Sequence, residues 1–229
     1  MLRNLMIISV SAMVVSACTY SSYGPEEHRS VESAGLVSSR NVDVTGDAEF
    51  AGMIVRADGE IDGDLDVAGA TVRSNADVGG DLSAAGARLR FTGTVAGDAE
   101  IAAATAHVDA RIEGHTEIAA ARLRLDGEMR GPVEIAAARA NIRGRYLESF
   151  EFQGEGRNKS GDLTLAGEFL GGGAICATAI EITASARFEG SFVFASDTRP
   201  EGMPTSAEFI DLDGRECDRL VHDSFRNHG

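Results

Sequence analysis

The acidic segment 58–66 holds five carboxylates and is the first place to look for cation-binding chemistry. From Asp62 onward its carboxylates follow the alternate spacing of a calcium-binding EF-hand loop. That loop also requires glycine at its sixth position and glutamate at its twelfth, where this chain has Val67 and Arg73. The spacing therefore excludes an EF-hand, and we predict no metal site.

The chain has no residue pattern typical of a nucleophilic or acid–base enzyme. It has no Gly-x-Ser-x-Gly turn, and no serine has a histidine partner that the sequence identifies. The pair His115-x-Glu117 is too short a pattern to define a metal site. We therefore predict no catalytic residue, no enzymatic activity and no cofactor.

Composition narrows the choice of partner and of core. The 229 residues include 21 Lys and Arg against 36 Asp and Glu, giving a net charge of −15. A chain this acidic offers little surface for neutralising phosphates, so we expect no nucleic-acid binding. Hydrophobic residues make up 43% but aromatic residues only 6%, which favours a narrow core of Ala, Val, Ile and Leu.

The sequence follows a 17-residue repeat, which positions the acidic residues and histidines described above. The repeat is marked by Gly46, Gly63, Gly80, Gly97, Gly114 and Gly131. Two and four positions after the glycine stand apolar residues such as Leu65 and Val67, and further apolar residues follow at nine, eleven and fifteen. This alternation is typical of half-buried strands. It predicts an all-β chain whose residues 42–147 form a parallel β-solenoid with 17-residue turns, each of three short strands.

Beyond residue 147 the repeat weakens. Residues 148–160 are predicted to be an insertion, and the consensus resumes at Gly161. Residues 161–196 are predicted to be degenerate coils, with Gly173 and Gly190 in the same register and Ile180, Ile182 and Phe188 pointing inward. Residues 197–229 are predicted to be a tail or cap, with a short helix at 219–225.

The amino terminus predicts export and a lipid anchor. Residues 5–15 are apolar but too few to span a bilayer, so residues 1–17 are predicted to be a cleaved signal peptide. The sequence Val15-Ser16-Ala17-Cys18 resembles the lipobox of bacterial lipoproteins, which implies that Cys18 is lipidated. Thr19 favours the outer membrane, facing the periplasm, and residues 18–41 are predicted to be a flexible tether.

The 17-residue units resemble the core of bactofilins, the polymer-forming cytoskeletal proteins of bacteria. The resemblance covers about half of the chain. It implies a right-handed β-helix whose units join end to end into nucleotide-independent filaments, which act as scaffolds at membranes and for cell-wall enzymes. Bactofilins are cytoplasmic, whereas the lipobox of this chain predicts export.

Two further predictions concern the ends of the solenoid. With Cys18 lipidated, Cys176 and Cys217 remain as a pair in an oxidising compartment, and we predict that they form a disulfide. Unpaired backbone groups at a solenoid end recruit another chain unless they are covered. We therefore predict self-assembly through an open first coil and an aromatic last coil, with tail residues restraining growth at the latter; the residues concerned are Val42, Val44, Phe188, Phe192 and Phe194.

Outward positions separate by charge. Ten positions after the glycine the residues are mostly basic: Arg56, Arg73, Arg90, His107 and Arg124. One and three positions after it they are acidic: Asp47, Glu49, Asp64, Asp66, Asp81, Asp98, Glu100, Glu117 and Glu134. Solubility explains this pattern, and so does lateral docking or capture of an anionic wall polymer. The repeated aspartates are interpreted as a solvated corner, with loose attraction of divalent cations as the alternative.

Together these features predict a lipid-anchored scaffold of the bacterial cell envelope. Its partners would be the membrane, other copies of the chain, and a cell-wall polymer or envelope protein. One alternative is a capped, monomeric solenoid that acts as a binding or adhesin-like module. A more distant alternative is a hexapeptide-type acyltransferase, which uses a histidine and coils of about 18 residues.

Overall fold

A computed structural model describes residues 30–154, 162–213 and 217. These residues form strands, turns and bends, with no helix among them. Six long strands come first: β1 (Val31–Val44), β2 (Ala48–Ile61), β3 (Leu65–Val78), β4 (Leu82–Val95), β5 (Ala99–Ile112) and β6 (Thr116–Met129). Shorter strands follow: β7 (Val133–Ile142), β8 (Arg145–Tyr146), β9 (Phe150–Gly154), β10 (Asp162–Leu165), β11 (Glu168–Phe169), β12 (Gly173–Cys176), β13 (Ala179–Ile182), β14 (Arg187–Phe188), β15 (Phe192–Ser196) and β16 (Glu208–Asp211).

All of the strand pairs are parallel, and the long strands stack with a shift of 17 residues per coil. Leu65 of β3, for example, pairs with Ala48 of β2 on one side and with Leu82 of β4 on the other. The prediction of an all-β, parallel solenoid with 17-residue turns is therefore confirmed.

Each regular coil has three faces, which β3 illustrates: a first face at 65–68, a second at 71–75 and a third at 77–78. Pairing skips one position between the first and second faces, at Met53 and Ala70. The corner before the third face holds Gly93, Gly127 and Gly144, whose φ angles are 135°, 130° and 117°. Because the hydrogen-bonded ladder continues around these corners, each coil contains one 14-residue strand rather than the predicted three short ones.

The core is a column of inward side chains. Buried and exposed residues alternate along every face, so that Leu65, Val67 and Val72 are buried while Asp66 and Arg73 are exposed. Most inward residues of β2–β6 are Ala, Val, Ile or Leu, as the composition predicted.

The first coil begins earlier than the sequence indicated. β1 pairs with β2 from Val31↔Ala48 onward, so residues 31–41 belong to the solenoid and not to the predicted tether at 18–41. Ser38 and Arg40 stand in register with the buried Val55 and Ala57, so this coil lacks the apolar alternation that marks the others. Backbone pairing does not depend on that alternation, which is why the strand forms without it.

The insertion is also narrower than the predicted 148–160. Phe150 of β9 pairs with Val133 and keeps the 17-residue shift. Asp162 of β10 pairs with Arg139, 23 positions earlier (162 − 139), so the extra residues fall after Gly154, where 155–161 are outside the described residues. The strand after Gly161 therefore lies on the second face, not at the start of a coil as the repeat suggested.

The last coils keep the 17-residue shift between β10 and β13 but lose it on the other faces. Gly173 pairs with Phe192, 19 positions later (192 − 173). The predicted register between Gly173 and Gly190 is therefore wrong. Ile180, Ile182 and Phe188 are half-buried and pack against the core, in agreement with their predicted inward direction. The predicted helix at 219–225 lies outside the described residues.

Candidate functional site

The repeated aspartates form a ladder of hydrogen bonds along one corner. The backbone N–H groups of Asp81 and Asp98 donate to Oδ1 of Asp64 and Asp81, at 2.8 Å in each case. The ladder starts at Asp47, which accepts from the N–H of Asp64 at 3.1 Å, and ends at Asp98, which accepts from the N–H of His115 at 2.7 Å. Each carboxylate thus satisfies a backbone donor one coil later.

The repeat glycines make room for this ladder. A Cβ atom at Gly80 would collide with the carboxylate of Asp64, and one at Gly97 would collide with that of Asp81. These glycines do not adopt a positive φ. The Gly-Asp pair that marks the sequence repeat therefore arises from close stacking, not from a special backbone angle.

This geometry gives the aspartates a structural role. One oxygen of each carboxylate is engaged by backbone, and the described residues contain no group of three or more His, Cys, Asp or Glu side chains that could hold a metal. The hydrogen bonds account for the repeat, so neither the solvated corner nor the attraction of divalent cations is needed to explain it.

Two outward columns of single sign run along the solenoid. The acidic column lies on the first face and comprises Glu49, Asp66, Glu100, Glu117 and Glu134. The basic column lies on the second face and comprises Arg56, Arg73, Arg90, His107 and Arg124, flanked two residues earlier in the chain by Arg88, Arg122 and Arg139. The arginines of the basic column and all members of the acidic column are exposed, while His107 is half-buried.

Most members of both columns lack an internal counter-ion. Arg124 pairs with Asp126 at 3.0 Å, and Arg139 with Asp162 at 3.7 Å. Within the described part of the chain no ion pair forms at the remaining arginines or at any residue of the acidic column.

On the third face, unlike in the two columns, charged side chains form ion pairs within the molecule. Arg130 contacts Glu128 at 2.8 Å and Glu113 at 3.2 Å, and Arg111 contacts Glu113 at 2.8 Å. The hydrogen bond from Arg130 lowers the pKa of Glu128, and the same bond raises the pKa of Arg130. From β5 to β8 opposite signs therefore alternate on this face and neutralise one another, whereas Asp43, Glu60 and Asp77 stand in register at the equivalent positions of β1–β3.

The two histidines among the described residues, His107 and His115, lie apart. His107 lies in the basic column on the second face, in register between Arg90 and Arg124. His115 lies at the Gly-Asp corner, where its backbone N–H donates to Asp98. The two residues are thus on different sides of the coil, and the acyltransferase alternative gains no support from their placement.

A row of glutamates on the first face approaches the irregular coils. Glu117, Glu134 and Glu151 line a shallow groove together with Gln153 and Ala174. Partial burial raises the pKa of Glu151, and the neighbouring Glu134 adds to this effect. The carboxylate of Glu151 is therefore held in an unfavourable environment when it is ionised.

The amino-terminal end of the solenoid carries an exposed apolar corner that the sequence analysis did not predict. Leu36, Val37, Met53 and Ile54 are 75%, 62%, 60% and 37% exposed. They occupy the corner between the first and second faces in the first two coils. Later coils have alanine in place of Leu36 and Met53, and threonine or arginine in place of Val37 and Ile54. That contrast in residue type was the available sequence signal.

The outer edge of the first coil has no partner among the described strands, because β1 pairs with β2 alone. Val44, predicted at this end, is 5% exposed and pairs with Ile61. Val42 pairs with Gly59 through its backbone, and its side chain is outside what the structure describes. The end surface is therefore formed by the edge of β1 and the apolar corner.

The carboxy-terminal end is partly covered: β16 lies over β15, while the outer edges of β13, β14 and β16 have no partner among the described strands. β16 pairs with β15, where Phe194 and Phe209 are in register, and Met203 and Ala207 pack against the core. Phe192 and Phe194 are buried, while Phe188 remains half-buried. A disulfide joins Cys176 to Cys217 across 41 residues and forms a small cluster with Ala195 and Leu212.

Comparisons of the chain with family models, curated proteins and solved structures found no match. Cys18 and the predicted signal peptide lie outside the described residues. Within the described ranges, no helix is long and apolar enough to cross a membrane.

Proposed function

We propose that this chain is a lipid-anchored, non-enzymatic scaffold of the bacterial cell envelope, which self-associates through the amino-terminal end of its solenoid. The observation that carries the proposal is the difference between the two ends. One end has a 14-residue strand edge without a described partner beside an exposed apolar corner, whereas at the other end only the short strands β13, β14 and β16 lack an outer partner among the described strands, and a disulfide ties down the chain there. The lipobox and the resemblance to bactofilins support the anchor and the scaffold role.

An open strand edge favours association because its N–H and C=O groups can extend the sheet into a second molecule. The N–H of Val31 donates to Asp47 in β2 at 2.9 Å. Since alternate residues of a parallel strand bond to opposite neighbours, the N–H groups of Glu32 and Ala34 point to the free edge. The apolar corner adds area that is removed from water when two ends meet.

Ala34→Pro tests this contact. The substitution removes one donor from the free edge and leaves the bonds to β2, and proline is tolerated on edge strands. We expect the full chain, purified in nonionic detergent, to form assemblies that this variant weakens by about tenfold or more. Ala34→Val keeps the donor and serves as the control. Sedimentation velocity and negative-stain microscopy give the sizes.

Removing residues 197–229, together with Cys176→Ser to avoid a free thiol, is expected to lengthen the assemblies by exposing β15. If the full chain and the truncated chain both stay monomeric at high concentration, the end-to-end proposal fails. The capped binding module, whose ligand would meet the charged columns, would then take its place.

The anchor has its own test. Cys18→Ser is expected to abolish incorporation of a radioactive fatty acid and to leave uncleaved precursor. Continued labelling of that variant would disprove acylation at Cys18, whatever the result of the assembly experiments.

A further inference from the structure

The two charged columns are costly as they stand in a single molecule. Arg56, Arg73 and Arg90 are in register on consecutive strands. Glu100, Glu117 and Glu134 are likewise in register. Neighbouring strands are about 4.8 Å apart, and like charges that lie opposite each other at that distance destabilise a sheet. In β5, β6 and β8 the third face avoids this cost by alternating Arg111, Glu128 and Arg145, although Asp43, Glu60 and Asp77 are in register on the same face in β1–β3.

The columns lie on adjacent faces with little bulk between them. The corner that joins the first and second faces is built from Ala68-Gly69-Ala70 in β3 and from Ala85-Gly86-Ala87 in β4. These side chains do not project far enough to hold a neighbouring surface away from either column.

We propose that the acidic column of one molecule docks side by side on the basic column of a second copy. A second copy accounts for both columns, since it presents the opposite sign at the same strand spacing. An anionic polymer would account for the basic column alone. The contact is lateral, so it does not rest on the proposed association through the ends.

Such a contact is heterologous, because it pairs the first face of one molecule with the second face of another. Each molecule of a docked pair keeps one unused column, basic in one copy and acidic in the other, so the contact can repeat across several copies. The net charge of −15 opposes association in general, and the attraction must come from the local pairing of columns. Salt screens pairs of this kind, so we expect the contact to weaken as ionic strength rises.

Charge reversal gives a decisive test. The variant Arg73→Glu with Arg90→Glu reverses two residues of the basic column, and the variant Asp66→Lys with Glu100→Lys reverses two residues of the acidic column. Each variant alone is expected to lose lateral association by about tenfold or more. A mixture of the two is expected to associate again, because each supplies the sign that the other lacks.

The control is Arg111→Glu with Arg130→Glu, which changes the net charge as much as the first variant but lies on the third face. We expect it to associate laterally like the wild type. Sedimentation velocity of the full chain in nonionic detergent, at about 50 mM and 500 mM salt, measures association. Negative-stain microscopy separates width from length, and circular dichroism confirms folding.

Three results would overturn the proposal. The first is a wild-type chain that shows no lateral association at low salt, including one that instead binds an anionic polysaccharide through Arg73 and Arg90. The second is an equal loss in the third-face control. The third is a mixture of folded variants that does not associate. Ala34→Pro shortens assemblies without narrowing them, so a failure of the end contact can be told apart from a failure of the lateral one.

Discussion

The regular coils β2–β6 and the carboxy-terminal coils β8–β16 share one architecture but are stabilised in different ways. In the regular coils a small aliphatic core is combined with the Gly-Asp ladder. In the carboxy-terminal coils the rings of Tyr146, Phe169 and Phe188 stack at 4.9 and 5.0 Å, and a disulfide replaces the ladder. The ladder requires an N–H group 17 residues later and so favours this coil length, which β6, β7 and β9 also keep without it. Stacked rings do not require a fixed number of residues per coil, and coil length varies in the coils whose core contains them.

The largest expected effect is on the aromatic stack. Phe169 is fully buried between Tyr146 and Phe188. Phe169→Ala should cost about 3–5 kcal/mol, because it leaves a large cavity among rings that cannot close over it. In the regular coils, Ile112→Val removes one methylene from the same column and should cost about 1 kcal/mol. Urea unfolding measures both. A loss in Phe169→Ala no larger than that in Ile112→Val would contradict the stabilising role of the rings.

Loss of the disulfide should lower stability almost as much, but only in the carboxy-terminal coils. Replacing Cys176 and Cys217 by serine should cost the carboxy-terminal coils up to about 4 kcal/mol through the entropy of the opened loop. Hydrogen exchange is expected to rise in β15 and β16 and to stay unchanged in β3–β5, because coils of a solenoid contact only their neighbours. Two free thiols in the unfolded, unreduced wild type would show that the bond does not form.

The Gly-Asp ladder can be tested at Asp81. Asp81→Ala leaves the N–H of Asp98 without its acceptor and should cost about 1–3 kcal/mol. Asp81→Asn keeps an acceptor oxygen and removes repulsion from the aspartates above and below, so its stability should stay within about 0.5 kcal/mol of the wild type. Thermal unfolding followed by circular dichroism compares the pair. Equal losses in the two variants would argue against the hydrogen bond as the cause.

A gain is expected at Thr116, which is buried in the regular coils. Its Oγ1 has no hydrogen-bond partner among the described residues. Thr116→Val preserves the shape and removes the unsatisfied hydroxyl, so it should add about 1 kcal/mol. The control is Thr94→Val, which should lose stability because the Thr94 hydroxyl donates to Asp77 at 2.7 Å. Destabilisation in Thr116→Val would mean that the hydroxyl has a partner.

The smallest expected change in stability comes from Glu151, at the boundary between the regular and the carboxy-terminal coils. Because the pKa of Glu151 is raised in the folded state, the unfolded chain loses its proton first as pH rises, and stability falls across that interval. Glu151→Gln should therefore raise stability at pH 7 by less than about 1 kcal/mol, and the gain should disappear below about pH 4. Melting temperatures at both pH values test this, with the exposed Glu100→Gln as control. A gain that persists at low pH would have another cause.

The regular coils were predictable because every coil repeats the same inward positions, so each unit reinforces the pattern. The first coil was missed because Ser38 and Arg40 stand at positions that are apolar elsewhere. The coil after the insertion was misplaced because Gly-Asp-Leu recurs there on the second face, where Asp162 pairs with Arg139. Local sequence cannot distinguish one face from another once the repeat is interrupted.

For a similar reason, the sequence predicted some surface features and not others. The charged columns follow directly from the repeat, since an outward position stays outward in every coil. The ladder did not follow, because no spacing reveals that Oδ1 of Asp64 accepts from the N–H of Asp81. The exposed corner at Leu36 and Met53 depends on where the first coil begins, and that start was not visible in the sequence.

The ladder also favours folding of the coils in chain order. The carboxylate of Asp47 can accept its hydrogen bond only when the N–H of Asp64 is in place, and each later aspartate depends on the following coil in the same way. Coils can therefore close one after another from the amino terminus as the chain emerges, each serving as the template for the next. Cys217 lies 41 residues after Cys176, so their bond can form only after the intervening strands β13–β16 are available.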